Sequence, residues 1–182
     1  MIVKLIPGIF GVIAGTILMR YSFDDKGLKR LGVFFLTVMV NVISQGWLIY
    51  VYTELRGGLK VHNCIYWLVG ALLFGALVLW ASKLMFSFEH EGFRVLTGVC
   101  AIVAGWIGGS GIDLMIAFNA GGAIIESRIG AFLLAAAAVL LLISDLVQIV
   151  KNFSISRKPI YDNLYAVTDY GAIALLILGT VL

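Results

Sequence analysis

Apolar residues in this chain run in blocks of about twenty, separated by short segments that hold nearly all the charge. The clear separators are "RYSFDDKGLKR", "ELRGGLKVHN", "KLMFSFEHEGFR" and "KNFSISRKPIYDN". At ~1.5 Å of rise per residue, a block of that length crosses the ~30 Å hydrocarbon layer of a bilayer as a helix. The blocks predict six spans: Ile2 to Met19, Leu31 to Thr53, Cys64 to Met85, a fourth from Val95, Ile129 to Val150, and Leu164 to Leu182. Barrel strands would be ~10 residues with alternating polarity, a pattern that does not occur here. The predicted fold is an all-α polytopic transmembrane bundle of about six spans, with residues 1–182 as one integral membrane domain and no soluble domain.

The end of the fourth block is ambiguous in "GWIGGSGIDLMIAFNAGG", residues 105–122. Its glycines permit two outcomes. Gly105 and Gly109 form a GxxxG pair on one helix face with Gly98 and Ala101, which lets a neighbouring helix approach closely. Alternatively the helix unwinds near Gly108–Gly111 and its freed carbonyls coordinate a cation, as in discontinuous transporter helices. Asp113, 18 residues beyond Val95, is expected near the outer boundary, roughly 27 Å along the helix. The span then ends at Ile112, with the following residues as an outer loop or a shallow interfacial segment.

Charge gives the expected orientation. Arg20, Lys26, Lys29, Arg30, Lys83, Arg94, Lys151, Arg157 and Lys158 flank the first, third and fifth connections, while Lys4, Arg56, Lys60 and Arg128 lie on the other side. Nine against four places the odd-numbered loops in the cytoplasm and both termini outside a cell membrane. The first block lacks a small-residue cleavage pattern at Met19-Arg20-Tyr21 and is read as a retained span.

Composition reinforces the class and narrows function. Hydrophobic residues are 62% and charged residues 13%, with a mean hydropathy of +1.06, far from soluble-domain values. The net charge of +3 belongs to loops near lipid headgroups; no basic patch interleaved with aromatics points to nucleic acid. Cys64 and Cys100 are 36 residues apart without a CxxC, so packed free thiols are expected. No cofactor and no metal are expected.

Enzyme motifs fail on spacing. "GGSG" at 108–111 resembles the nucleophile motif of rhomboid intramembrane proteases, but that family needs a histidine base in a later span. His62 and His90 both precede Ser110. The residues of "EHE" at 89–91 are adjacent and cannot converge on one ion from a regular helix. "NFS" at 152–154 lies on the expected cytoplasmic side, away from glycosylation. The chain is therefore read as non-enzymatic.

Two functional readings remain. In the first, the protein is a subunit of a homo- or hetero-oligomeric membrane assembly, an anchor or sensor for a partner. It would assemble through small-residue faces: Gly11 and Gly15, Ala71 and Gly75, Gly105 and Gly109. Lys151, Arg157 and Lys158 would touch anionic lipid or a partner protein. In the second, it is a small transporter component or channel for an ion or small molecule, with Asn41, Ser44, Gln45 and Asp113 around an outward polar pocket. Six spans in 182 residues resemble the substrate-binding subunits of energy-coupling-factor transporters in size and topology. Asp145 and Asp169 are expected near the cytoplasmic ends of their spans, reaching headgroup water or Lys151. The deep middle is thus expected to hold amides but no carboxylate.

Overall fold

The computed structural model describes residues 2–22, 27–58, 61–88, 90–155 and 160–182. Phe23, Lys26, Lys60, Glu89, Arg157 and Lys158 lie outside the described residues. The fold is an all-α bundle of six helices: α1 Ile2–Ser22, α2 Gly27–Leu55, α3 Val61–Met85, α4 Glu91–Asn119, α5 Arg128–Phe153 and α6 Ile160–Val181. Five are long and apolar enough to cross a membrane, and α1 adds the shorter apolar stretch Val3–Leu18.

Local chemistry sets several helix ends. Ser127 caps α5, its hydroxyl accepting from the Gly130 N–H at 3.1 Å, which satisfies one orphan donor of the first turn. Past the end of α4, Gly121 adopts φ +70°, and the Gly121 and Gly122 N–H groups return to the Phe118 and Ala117 carbonyls. Gly57 and Gly58, at φ +102° and +97°, make the turn after α2 in a backbone region that disfavours side chains.

Successive helices alternate in direction. One end of the bundle, here the terminal end, carries the start of α1 and the finish of α6. The other carries the finishes of α1, α3 and α5 and the starts of α2, α4 and α6, and is called the basic end. There an isolated antiparallel bridge joins Phe86 to Ser154, and the Ser87 N–H donates to the Phe153 carbonyl at 2.9 Å. Phe34, Phe93 and Phe153 fill this end with ring centroids 5.3–5.6 Å apart.

Five helices form a ring in the order α1, α2, α4, α5, α6, closed where α6 meets α1; α3 lies outside and packs on α4. The α1–α6 junction is the slightest in the ring. Leu48, Val51, Tyr52, Ile107, Leu114, Leu134, Leu141 and Leu176 fill the interior. Phe10, Ile43, Leu73, Trp80 and Val167 project outward, as a lipid-facing surface requires.

α4 is continuous for 29 residues. It neither stops at Ile112 nor unwinds near Gly108–Gly111, so of the two sequence outcomes the closed packing face is the one observed, and the expected end at Ile112 is corrected. The glycines are backed by neighbouring helices: Phe74 and Ala71 lie against Gly105, Leu142 against Gly108, Trp67 against Gly109, and Ala138 and Ala135 against Gly111. In apolar surroundings, a closed helix that satisfies its own backbone costs less than an unwound one.

The other small residues meet partners in the same chain. Leu48, Ser44 and Asn41 of α2 sit over Gly8, Gly11 and Gly15 of α1, and Ile102 of α4 sits over Gly75 of α3. Gly130 and Gly179 bring the α5 and α6 backbones together. These faces build the bundle itself.

Candidate functional site

Among the described residues, buried carboxylates occur at two places in the ring. At the first, nearer the basic end, four helices contribute polar side chains. From α2, the Gln45 amide donates from Nε2 to Asp145 Oδ2 of α5 at 2.5 Å. From α6, Asp169 places Oδ2 2.8 Å from Thr16 Oγ1 of α1, and its Oδ1 accepts from the Ser144 hydroxyl at 3.4 Å. The Tyr165 hydroxyl lies 3.1 Å from Thr16 Oγ1, which is also 2.9 Å from the Val12 carbonyl. Gln45, Ser144, Asp145 and Asp169 are all buried, and the two carboxylates are within electrostatic reach of each other. Neither forms an ion pair with a Lys, Arg or His among the described residues.

This arrangement corrects the expectation for both aspartates. Asp145 is eight residues from the end of α5 and Asp169 nine from the start of α6. That is about 12–14 Å of helix at ~1.5 Å per residue, which puts them inside a ~30 Å hydrocarbon layer. They face the ring, not headgroup water. Lys151 is engaged elsewhere, its Nζ 2.6 Å from Asp162 Oδ1 and 5.4 Å from the centroid of the Tyr165 ring. The deep interior therefore does contain carboxylates.

The second place is at the terminal end. Arg56, in the turn after α2, sets Nε 2.6 Å from Asp113 Oδ2 of α4, with both side chains 9% exposed. A more exposed cluster lies at the same end, between α1 and α2: Lys4 donates to Glu54 at 2.7 Å, the Tyr50 hydroxyl donates to Glu54 at 2.7 Å, and Trp47 Nε1 donates to the Lys4 carbonyl at 2.5 Å. Such an aromatic and charged rim suits a membrane interface.

The structure distributes the sequence candidates instead of gathering them into one pocket. Gln45 joins the Asp145–Asp169 cluster. Asn41 and Ser44 lie at the α1–α2 contact, with the Ser44 hydroxyl donating to the Asn41 carbonyl at 3.0 Å. Asp113 belongs to the Arg56 pair. Ser110 donates to the Trp106 carbonyl of its own helix at 2.9 Å. Near the basic end, His90 stacks on Phe93 and Glu91 reaches Arg94 at 3.7 Å.

Residues absent from the sequence candidates are Thr16, Arg56, Ser144, Gln148, Tyr165 and the aspartates in their buried role. One signal for them existed. Ser144, Asp145, Gln148 and Asn152 recur at three- and four-residue spacing along an otherwise apolar block, which draws a polar stripe down one face of α5. Gln148 is 4% exposed and its Nε2 has no hydrogen-bond partner among the described residues. The stripe ends beside a cavity of about 180 Å³ lined by Arg30, Ser87, Phe93, Asn152, Phe153 and Ser154.

The apolar, membrane-length helices and the lipid-facing exterior define the class: a helical membrane protein. No protein-family model, curated protein or solved structure matches the chain.

Proposed function

We propose that this protein is a small membrane transport component whose working site is the Asp145–Asp169 cluster, acting on an ion without covalent chemistry. The observation that carries the reading is a pair of carboxylates enclosed by hydroxyl and amide groups from four helices. Ionisable groups at such depth are costly, and they mark ion or proton pathways by default. Bundle geometry adds support, because Gln45 reaches across the ring to Asp145 although α2 and α5 are not neighbours in it. A group bound here touches both halves of the ring. In this proposal the basic end faces the cytoplasm and the site lies nearer that side.

The assembly-subunit reading loses its principal argument, since the small-residue faces are occupied within the chain. It keeps one feature: α3 packs on α4 alone among the described helices, leaving Tyr66, Leu73 and Trp80 exposed on its outer face. Lipid covers such a face as well as a partner does.

Ion flux into proteoliposomes tests the proposal, with Gly70→Leu as a control because nothing lies within 4 Å of that glycine's open side. Flux carried by the wild type and the control, and abolished by Asp145→Asn or Asp169→Asn in correctly folded protein, is the expected result. Absence of flux in wild type under both imposed pH and sodium gradients overturns it. Native mass spectrometry from the host membrane addresses the second reading, through a stoichiometric protein partner on the α3 face.

A further inference from the structure

The ion of that site follows from counting hydrogens. A hydroxyl has one hydrogen to donate and two lone pairs with which to accept. Thr16 Oγ1 has three neighbours: the Val12 carbonyl at 2.9 Å, Asp169 Oδ2 at 2.8 Å and the Tyr165 hydroxyl at 3.1 Å. The carbonyl can only accept, as can an ionised carboxylate, so the two compete for the single Thr16 hydrogen, which is here assigned to the carbonyl. Tyr165 then donates to one lone pair of Thr16. The remaining lone pair faces Asp169, and that contact is a hydrogen bond only if Asp169 itself brings the hydrogen. With Asp169 ionised, Thr16 must abandon either the carbonyl or the carboxylate; with Asp169 protonated, all three contacts are filled.

Two further observations bear on where that proton sits and how it leaves. The Gln45 amide donates from Nε2 to Asp145 Oδ2, a bond that suits an ionised Asp145 and leaves the proton of the pair to Asp169. Independently, the buried Gln148 amide lies one turn from Asp145 and Ser144 on the same buried face, with its Nε2 unpartnered among the described residues. A buried donor at that spacing fits an oxygen ligand, such as water, between the carboxylates and the basic end. Asn152 continues the line to the cavity beside Arg30.

We infer that Asp145 and Asp169 form a proton-binding site in which Asp169 is a neutral acid, with the Gln148–Asn152 stripe as its route to the basic end. The inference rests on the transport reading only in naming the ion moved; proton occupancy stands by itself. On release, the Asp169 O–H bond breaks, the proton passes to water as hydronium, and the carboxylate keeps the electron pair. The Ser144 and Thr16 hydroxyls then turn to stabilise it. The titratable groups facing the pair are Tyr165 on α6 and Cys100 on α4; Lys151 of α5 is held by Asp162 of α6. Thr16 and Gln45, which α1 and α2 contribute, do not titrate. Tyr165 and Cys100 are neutral near pH 7 by ordinary chemistry, so the aspartates are the groups that exchange protons there.

Infrared spectroscopy of the full chain in lipid bilayers reads this directly. The wild type is expected to show a protonated-carboxyl band at neutral pH that shifts in deuterium oxide and disappears at alkaline pH. Asp169→Asn should remove that band, while Asp162→Asn leaves it. Gln148→Leu should slow its deuterium exchange severalfold without removing it. Thr16→Val, which deletes the acceptor, should shift the band, and it decides the matter if Asp169→Asn fails to fold. A wild type with no such band, a band untouched by Thr16→Val, or a band lost on adding sodium at fixed ionic strength and pH each overturns the inference. The last result marks a sodium site. A band without flux removes the transport reading and leaves the proton site; flux without a band does the reverse.

Discussion

Arg56 and Asp113 form a buried ion pair, Nε 2.6 Å from Oδ2, that locks the turn after α2 onto the fourth helix at the terminal end of the bundle. The two residues belong to segments that the sequence pattern leaves unrelated, one in a glycine turn and the other late in an apolar helix. Their pairing explains how an aspartate can sit at 7% exposure beside Leu114 and Ile107 in the core.

Breaking the pair from one side should be costly. Asp113→Ala leaves the Arg56 charge buried without its carboxylate, and a loss of about 3 kcal/mol is expected. Arg56→Met combined with Asp113→Leu should recover much of that loss, since an apolar pair of similar volume needs no desolvation. Reversible unfolding in mixed micelles checks both, and a single variant as stable as wild type contradicts the assignment.

Gln45 and Asp145 should behave in the same asymmetric way. Gln45→Leu removes the amide from a buried acid and is expected to cost about 1–3 kcal/mol. Gln45→Leu with Asp145→Leu removes both ends and should restore stability while leaving any flux at zero. The same unfolding measurement, paired with the proteoliposome assay, separates fold from function. A double variant that retains flux would show that the cluster is structural.

The glycines divide into two groups. At Gly109, a Cβ would overlap the Trp67 ring, and at Gly111 it would overlap the Ala138 Cβ. Substitution to alanine there should destabilise by about 1–3 kcal/mol through overpacking. Gly46 and Gly70 have nothing within 4 Å of that position, so alanine should be neutral or stabilising by up to about 1 kcal/mol. Equal effects in both groups would contradict the α3–α4 and α4–α5 packing.

Single-cysteine labelling tests orientation in a background with Cys64 and Cys100 replaced. Glu126 lies at the terminal end and Lys29 at the basic end, and both are exposed. An impermeant maleimide added to intact cells should label Glu126→Cys, and should reach Lys29→Cys only after permeabilisation. The opposite pattern inverts the orientation and places the carboxylate cluster nearer the outside.

The number, type and alternating direction of the helices could be read from the chain, because apolar run length and the charge between runs act locally along it. The sequence left the course of α4 undecided. Glycine weakens a helix in water, but only the neighbours Leu142, Trp67 and Ala138 make the closed helix the favourable outcome. The glycine pairs were visible as close-approach surfaces, yet nothing in them specified whether the approaching helix came from the same chain.

What the sequence determined by itself was a set of membrane-length helices and the polar stripe Ser144, Asp145, Gln148 and Asn152 on one of them. Only the tertiary structure decided where that stripe points. Thr16 and Asp169 are 153 residues apart, and Gln45 and Asp145 are 100 apart; no local periodicity relates them. Closure of the ring between α1 and α6 sets Thr16 against Asp169, and the rotation of α5 turns Asp145 inward toward Gln45. The physical reason is that a polar group in hydrocarbon must find its partner wherever packing brings one, and packing follows the three-dimensional fit of helix faces.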